Sequence, residues 1–266
     1  MTEPSTDDAD SNADIDINVD IDIDIEARYA ERQLTARPSA ELVEQLRGCS
    51  AADVSDSLVA LGARNHVIRG VHALAAEPGR PIQLLGVAVT LDFVPANGTH
   101  DFSEAPFLSS EVIRRMSPGD VLVMSAKGCD YAFWGGHMAR RAVDKQLGGA
   151  VVDAQIRDVR EIRETGLPLF ALGTTPQTLL SHYEAVAYNT TIECGGATVT
   201  PGDAVIGDED GVVVVPQLLL PELIVELRKR EKLEQWMAEA VASDSPAHEI
   251  YTEILRRRPQ DEDEER

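Results

Sequence analysis

Basic side chains are scarce in this chain: 24 lysines and arginines, only four of them lysines, stand against 46 aspartates and glutamates, for a formal net charge of -22. Phosphate contacts require clustered cations, so nucleic acid is not an expected partner. The run Arg256-Arg257-Arg258 is too short to reverse that balance. Long apolar runs are missing too. No stretch approaches the roughly 20 residues needed to cross a bilayer, and the polar, acidic start is not a signal peptide. The expected setting is cytoplasmic, with no membrane partner. Cysteine is sparse: Cys49, Cys129 and Cys194 are odd in number, far apart and without CxxC or Cys/His spacing, so they read as buried thiols. No Walker loop, GxGxxG signature or nucleophile-base-acid pattern is present, which argues against the common nucleotide-dependent and triad chemistries.

The acidity that is present is unevenly placed. Residues 1–27 hold ten acidic and no basic side chains, and Asp261–Arg266 hold five acidic and one basic, so the two tails carry -10 and -4 of the -22 and leave about -8 elsewhere. The alternation Asp14-Ile15-Asp16-Ile17, resumed from Asp20 to Ile25, has strand periodicity. A strand would stack aspartates on one face, and their repulsion favours a solvated, disordered tail. Glycine and a bidentate glutamate at calcium-loop spacing are lacking. Low lysine with excess carboxylate also fits a halophilic protein in a salt-rich cytoplasm; an acidic bias from a GC-rich genome gives a similar ratio, and stability measured against salt separates the two. The expected organisation is a disordered acidic tail over 1–27, one α/β domain over 28–241, and a C-terminal helix and acidic tail over 242–266. With 43% of the whole chain hydrophobic, there is enough apolar material for a real core.

Periodicity predicts helices over 39–48, 51–61, 108–115, 137–146, 158–165 and 175–181, and a long one from near Pro221 whose buried face is Leu220, Leu223, Ile224 and Leu227. Ser50 with Asp53 makes a capping box for the second helix and Gly62 stops it. Strands are expected near 67–72, 83–94, 120–125, 150–153, 168–172, 186–194 and, in pieces, 197–215. Strands and helices mixed in this order give an α/β fold with a central β layer.

The richest stretch runs from Trp134 to Glu161. Trp134-Gly135-Gly136 leads into a helix, Gly148-Gly149 ends it, Ala150-Val151-Val152-Asp153 reads as a buried strand, and Arg157-Asp158-Val159-Arg160-Glu161 follows. In such a unit both loops can lie at one sheet edge, where α/β proteins bind ligands. Gly135 and Gly136 let backbone approach a ligand and offer N–H groups at a helix start, which suits a carboxylate. Arg157 supplies a planar cationic fork for the same anion. Asp158 is a hard oxygen ligand for Mg2+ or Mn2+, and Glu161 shares its face if the segment is helical. Plainer readings exist: an Arg-Asp cap with a surface ion pair, glycines that only end a strand, Trp134 as core, Glu161 paired to Arg157 or Arg163, and His137 as a surface residue.

Gly136, twenty residues, Arg157-Asp158, two residues and Glu161 make a pattern that resembles the family of the regulator of ribonuclease activity A and 4-hydroxy-4-methyl-2-oxoglutarate aldolase. Asp53-Val54-Ser55-Asp56-Ser57-Leu58 with Leu61-Gly62, Gly86 to Thr90, Pro118 to Val123, Pro201-Gly202-Asp203 and Gly211 to Pro216 agree, so the resemblance covers about residues 40 to 240. It implies a swivelling β/β/α-type single domain, assembled as a homotrimer or homohexamer. It also implies a divalent-metal-dependent lyase that releases pyruvate from a 2-oxo-dicarboxylate such as oxaloacetate or 4-hydroxy-4-methyl-2-oxoglutarate. By the same resemblance Asp158 would hold the metal, while Arg157 with Gly135, Gly136, His137 and Met138 would bind the small 2-oxo acid. Arg157, Asp158 and Glu161 would then be the catalytic set, with a glutamate from a neighbouring subunit's last helix, for which Glu234 is favoured over Glu231.

This chain departs from the aldolases at Gly136, where they carry an aspartate. Retro-aldol cleavage needs a base for the substrate hydroxyl, whereas decarboxylation needs electron withdrawal, so the loss should harm aldol cleavage more. The regulator branch implies an alternative: a non-catalytic protein that binds a ribonuclease or another protein partner. A methyltransferase, a role sometimes attached to such proteins, would want a glycine-rich nucleotide loop that the sequence lacks.

Overall fold

The computed structural model describes residues 37–76, 79, 81–96, 104–242 and 245–257. The acidic repeats of 1–27 and the acidic run of 261–266 lie outside the described residues.

Two short helices open the fold, α1 (Ala40–Glu44) and α2 (Ala51–Ala60). The reading of 39–48 as one helix overshoots: the chain leaves the helix after Glu44 and turns at Gly48, φ +83°. The Ser50 half of the expected capping box forms, while Asp53 turns its carboxylate to the Ser50 hydroxyl instead of the Ser50 N–H. Ser50 Oγ accepts from the Asp53 N–H at 3.0 Å and donates to Asp53 Oδ2 at 2.7 Å, and Gly62 follows at φ +77°.

The strands β1 (Val67–Ile68), β2 (His72–Ala75), β3 (Leu84–Pro95), β4 (Asp120–Trp134), β5 (Gly149–Ile156), β6 (Leu169–Thr174), β7 (Tyr183–Tyr188), β10 (Ala204–Asp208) and β11 (Gly211–Val215) form one sheet. Its order is β1-β11-β10-β3-β4-β5-β6-β2, with β7 added antiparallel to the far half of β3. The central strands β3, β4, β5 and β6 are parallel, which the intervening helices α3 (Glu104–Arg115), α4 (Gly136–Asp144) and α5 (Val159–Thr165) permit. A separate hairpin, β8 (Ile192–Cys194) with β9 (Ala197–Val199), covers one sheet face. The last helices are α6 (Leu220–Ala242) and α7 (Ala247–Arg257).

Alternation along the strands explains the layering. Val121, Val123 and Val151 face the hairpin and pack with Ile192, Cys194, Ala197 and Val199. Leu122, Met124, Ala150 and Val152 face the other way and pack with Ala139, Ala142 and Ile162 of the helices. A neighbouring helix-side cluster joins Val54 and Leu58 to Val213, Val215 and the predicted α6 stripe of Leu220, Leu223, Ile224 and Leu227. Hairpin, sheet and helices make a β/β/α stack, as expected. The hairpin is pinned by buried polar groups: Ser125 Oγ donates to the Glu193 carbonyl at 2.6 Å, and Asp153 Oδ2 accepts from the Gly195 N–H at 3.2 Å. Of the three cysteines only Cys194 is fully buried, its thiol pushed up by desolvation; Cys49 and Cys129 are half-buried.

Four further stretches differ from the sequence expectation, the first being the strand expected over 67–72, which is split around Gly70, φ +81°, into β1 and β2. Strand β4 runs nine residues beyond 125, through a bulge where Lys127 and Gly128 take positive φ and the register against β5 shifts. The stretch expected as one strand over 186–194 breaks at Asn189, φ +54°. Residues 175–181 are not a helix. The Gln177 carbonyl accepts from the Ala132 N–H at 2.8 Å, Thr178 bridges to Ala132, and the Thr175 and Thr178 hydroxyls bond local amides, so that backbone is spent on β4 and on turns.

Candidate active site

Strands β4 and β5 are adjacent and parallel, and Trp134 pairs with Ile156 at their ends. The loops that follow therefore leave the same sheet edge, and the Arg157 N–H to Trp134 carbonyl bond of 2.9 Å ties them together. This is how Gly136 and Asp158, 22 positions apart, come to touch.

Gly135 is the N-cap of α4 in extended conformation and offers no capping side chain. The first-turn amides of α4 are left for other acceptors. One is already taken: the Gly136 N–H donates to Asp158 Oδ2 at 3.1 Å. Asp158 has φ +59°, a left-handed conformation that aspartate tolerates better than most side chains. Although it stands at the N-cap of α5, its side chain makes no capping bond. The plain reading of Asp158 as a helix cap is thus replaced by a cross-loop contact. Arg157 Nε lies 3.8 Å from the same Oδ2, and the two side chains are 46% and 42% exposed, so the pair is open to ligand and contributes little to stability.

Glu161 sits in the first turn of α5 and pairs with Arg140 at 3.0 Å, not with Arg157 or Arg163. It also leans on Gly136. A Cβ at position 136 would run into Glu161 Oε2 and lie 3.1 Å from its Cβ, and a Cβ at Gly135 would lie 2.8 Å from Asp158 Oδ2. Close approach of two carboxylates therefore requires both glycines. His137 is exposed and Met138 half-buried against the core.

Gly135, Gly136, His137, Met138, Arg157 and Asp158 line one cavity of about 280 Å³, with Phe133, Trp134 and Leu179 as its apolar wall; Glu161 stands behind Gly136, outside that lining. Ser109 and Ser110 of α3 and the turn Thr178 to Leu180 complete it. Sequence reading missed those five, because the stretch around Thr178 reads as helix and nothing in the α3 pattern marks a serine as lining. Glu234 is not brought here. Within one chain it lies on α6 beside Cys49, Asp53 and Glu231, along a larger groove of about 450 Å³ that includes neither Arg157 nor Asp158.

For a metal, the described residues hold no cluster of three or more His, Cys, Asp or Glu side chains. The donor on offer is the Asp158 carboxylate, solvent-open and with Oδ1 outside the Gly136 bond. One carboxylate with water and substrate oxygens suits Mg2+, which keeps much of its hydration shell, so the residues fit a hard divalent cation. No helix among the described residues is long and apolar enough to cross a membrane.

A family model described as RraA-like, Aldolase/RraA, matches residues 51–214. A protein of Halalkalibacterium halodurans, provisionally named a 4-hydroxy-4-methyl-2-oxoglutarate aldolase, is 34% identical over 141 residues, 52% of this chain and 66% of its own length. The chain thus spans just under two thirds of that relative. Among solved structures, Streptomyces coelicolor RraAS2, described as an unusual member of the RNase ES inhibitor RraA protein family, is 33% identical with a TM-score of 0.66, over 76% of this chain and 98% of its own. An uncharacterized protein of Pseudomonas syringae superposes with a TM-score of 0.72 at 26% identity, over 82% and 95%.

Proposed function

The chain belongs to the RraA-like family, and on that footing we propose that it is a divalent-metal-dependent lyase that releases pyruvate from a 2-oxo-dicarboxylate, by decarboxylating oxaloacetate or cleaving 4-hydroxy-4-methyl-2-oxoglutarate. The observation that carries the reading is the Asp158 to Gly136 contact, which sets a carboxylate, a guanidinium and an uncapped helix start around one cavity.

In this reading the fork of Arg157 and the free N–H groups of His137 and Met138 hold the carboxylate of the 2-oxo acid. Asp158 would hold Mg2+ or Mn2+, and the bound cation would supply electron withdrawal from the 2-oxo group and stabilise the developing enolate oxygen. The C3–C4 bond breaks with its electron pair moving towards the 2-oxo oxygen; CO2 leaves in decarboxylation, or a second 2-oxo acid leaves in aldol cleavage. Aldol cleavage further requires removal of the C4 hydroxyl proton. Glu161 occupies the space that a side chain at 136 would need, and in this reading it takes that proton through water from behind the Gly136 loop. The enolate takes a proton at C3 to give pyruvate, from solvent water after decarboxylation and from the base that removed the C4 hydroxyl proton after aldol cleavage. Arg157 stays charged throughout and keeps the carboxylate fixed while the bond breaks.

Assembly as a homotrimer or homohexamer belongs to the same proposal, with Glu234 of a neighbouring copy approaching the cavity. The site test is pyruvate formation from oxaloacetate with Mg2+ or Mn2+, abolished by a chelator. A second reading is favoured by the RNase ES inhibitor family named for the S. coelicolor relative: a regulator that binds a ribonuclease by surface contact. Such a regulator would keep its partner after Asp158→Asn.

A further inference from the structure

Strand β4 breaks a local rule before it reaches the site. Lys127 and Gly128 take φ +56° and +75°, positive values in succession as at the two central positions of a type I′ turn, where glycine, asparagine and aspartate are the usual residues. A lysine carries a Cβ into that strain and has no short polar group to bond its own backbone. Such strain persists where the surroundings hold it, and here the side chain is held. Lys127 Nζ donates to Ser125 Oγ at 3.1 Å and to the Glu193 carbonyl at 3.3 Å, and stands 3.2 Å from Asp92 Oδ1. The ammonium thus joins β3, β4 and the β8 strand of the hairpin. With the Lys127 and Asp92 side chains 52% and 22% exposed, the ion pair adds little to global stability, so its effect is local.

What the bulge sets is register. Ser125 pairs with Asp153 and Trp134 with Ile156, so nine steps along β4 are set against three along β5, and the first shift falls between Ser125 and Cys129, across Lys127-Gly128. In unbroken register Ile156 would stand beside Gly128, and the Gly135-Gly136 loop would leave the sheet far from Arg157-Asp158. We infer that Lys127 is a positioning residue for the candidate site: its ammonium, held by Asp92, Ser125 and the Glu193 carbonyl, fixes the bulge that brings the Gly136 N–H to Asp158. Lys127 lies outside the cavity lining and acts through the strand. The kinetic consequence rests on the lyase reading of the cavity, whereas the geometric one does not.

The test is amide hydrogen exchange at Gly136, whose N–H reports the Asp158 bond. It is measured on the full chain for the wild type, Lys127→Asn and Lys127→Arg, beside urea midpoints and turnover of oxaloacetate with Mg2+. Asparagine suits the left-handed backbone, so Lys127→Asn removes the clamp without adding strain. It should leave the urea midpoint within error, speed Gly136 exchange about tenfold and lower kcat for pyruvate release about tenfold. Lys127→Arg, which keeps a cation within reach of Asp92, should restore most of both. Unchanged Gly136 exchange in Lys127→Asn would overturn the inference. So would a lowered midpoint with Gly136 exchange rising only in step with the other core amides, the mark of a merely structural contact. Faster Gly136 exchange in the variant of a wild type that releases no pyruvate sinks the lyase reading and leaves the positioning role standing; turnover lost with Gly136 protection intact would have the opposite meaning.

Discussion

Asp158 accepts the Gly136 N–H at 3.1 Å across 22 positions of sequence, and this bond joins the two loops that carry the candidate chemistry. It uses one carboxylate oxygen as a strut and leaves the other for a ligand. It also draws on backbone conformation, since Asp158 holds φ +59° to make the contact. Neither an alanine, which bears the left-handed strain without the hydrogen bond, nor a glycine, which loses both carboxylate oxygens, reproduces it.

Arg157 is expected to act on binding more than on bond breaking. Arg157→Lys keeps the charge and loses the planar fork, so KM for oxaloacetate should rise about tenfold with kcat changed less. Steady-state kinetics on the purified variant check the split; a drop in kcat at constant KM would place Arg157 in the transition state instead.

Gly136 and Glu161 compete for one volume, so their variants should not be additive. Gly136→Ala places a Cβ where Glu161 Oε2 sits, and Glu161→Gln removes the charge directly. Each is expected to lower aldol cleavage by roughly tenfold or more, and the double variant should be little worse than the weaker single, giving a coupling on the order of 1 kcal/mol. Independent losses in the double-mutant cycle would separate the two residues.

Much of this site was legible because its signals are local. The Gly135-Gly136 and Arg157-Asp158 loops each follow a strand and precede a helix, and the Ser50 cap and the Leu220 to Leu227 stripe are short-range patterns that the fold preserves. What stayed hidden depends on distant partners. Residues 175–181 carry a helical pattern, yet the Gln177 and Thr178 backbone is claimed by Ala132. The length of β4 hides behind the positive-φ bulge at Lys127. That Glu161 leans on Gly136, and that Lys127 is held by Asp92 and Ser125, are properties of packing that no spacing encodes.

The Ser50 cap should be measurable by itself. Ser50→Ala removes the acceptor of the Asp53 N–H and is expected to cost about 1 kcal/mol in urea unfolding, without altering turnover. A change within error would mean that Asp53, which also bonds Arg230 Nε at 3.1 Å, holds the start of α2 without it.

His66 gives the fold an acid sensitivity. Its buried ring faces Ser55 Oγ at 3.1 Å through Nε2, and burial holds its pKa below the ordinary 6.5. The neutral ring is favoured in the folded state, so its stabilising share is present above 6.5 and is lost as pH falls from there through the lowered folded value. Urea midpoints at about pH 7.5 and about pH 5.5 should converge in His66→Gln relative to the wild type; an unchanged difference would assign the acid sensitivity to other groups.

The central claim is that Asp158 anchors a metal-dependent lyase site, and one comparison addresses it directly. Pyruvate release from oxaloacetate and from 4-hydroxy-4-methyl-2-oxoglutarate is followed with Mg2+, with Mn2+ and with chelator, for the wild type and for Asp158→Asn, whose side chain tolerates the left-handed backbone and can keep the Gly136 bond. The account predicts release that the chelator abolishes and that Asp158→Asn lowers by roughly a hundredfold or more, with oxaloacetate the better substrate. Release that survives in Asp158→Asn, or none from either substrate by folded wild-type protein with metal, would contradict it.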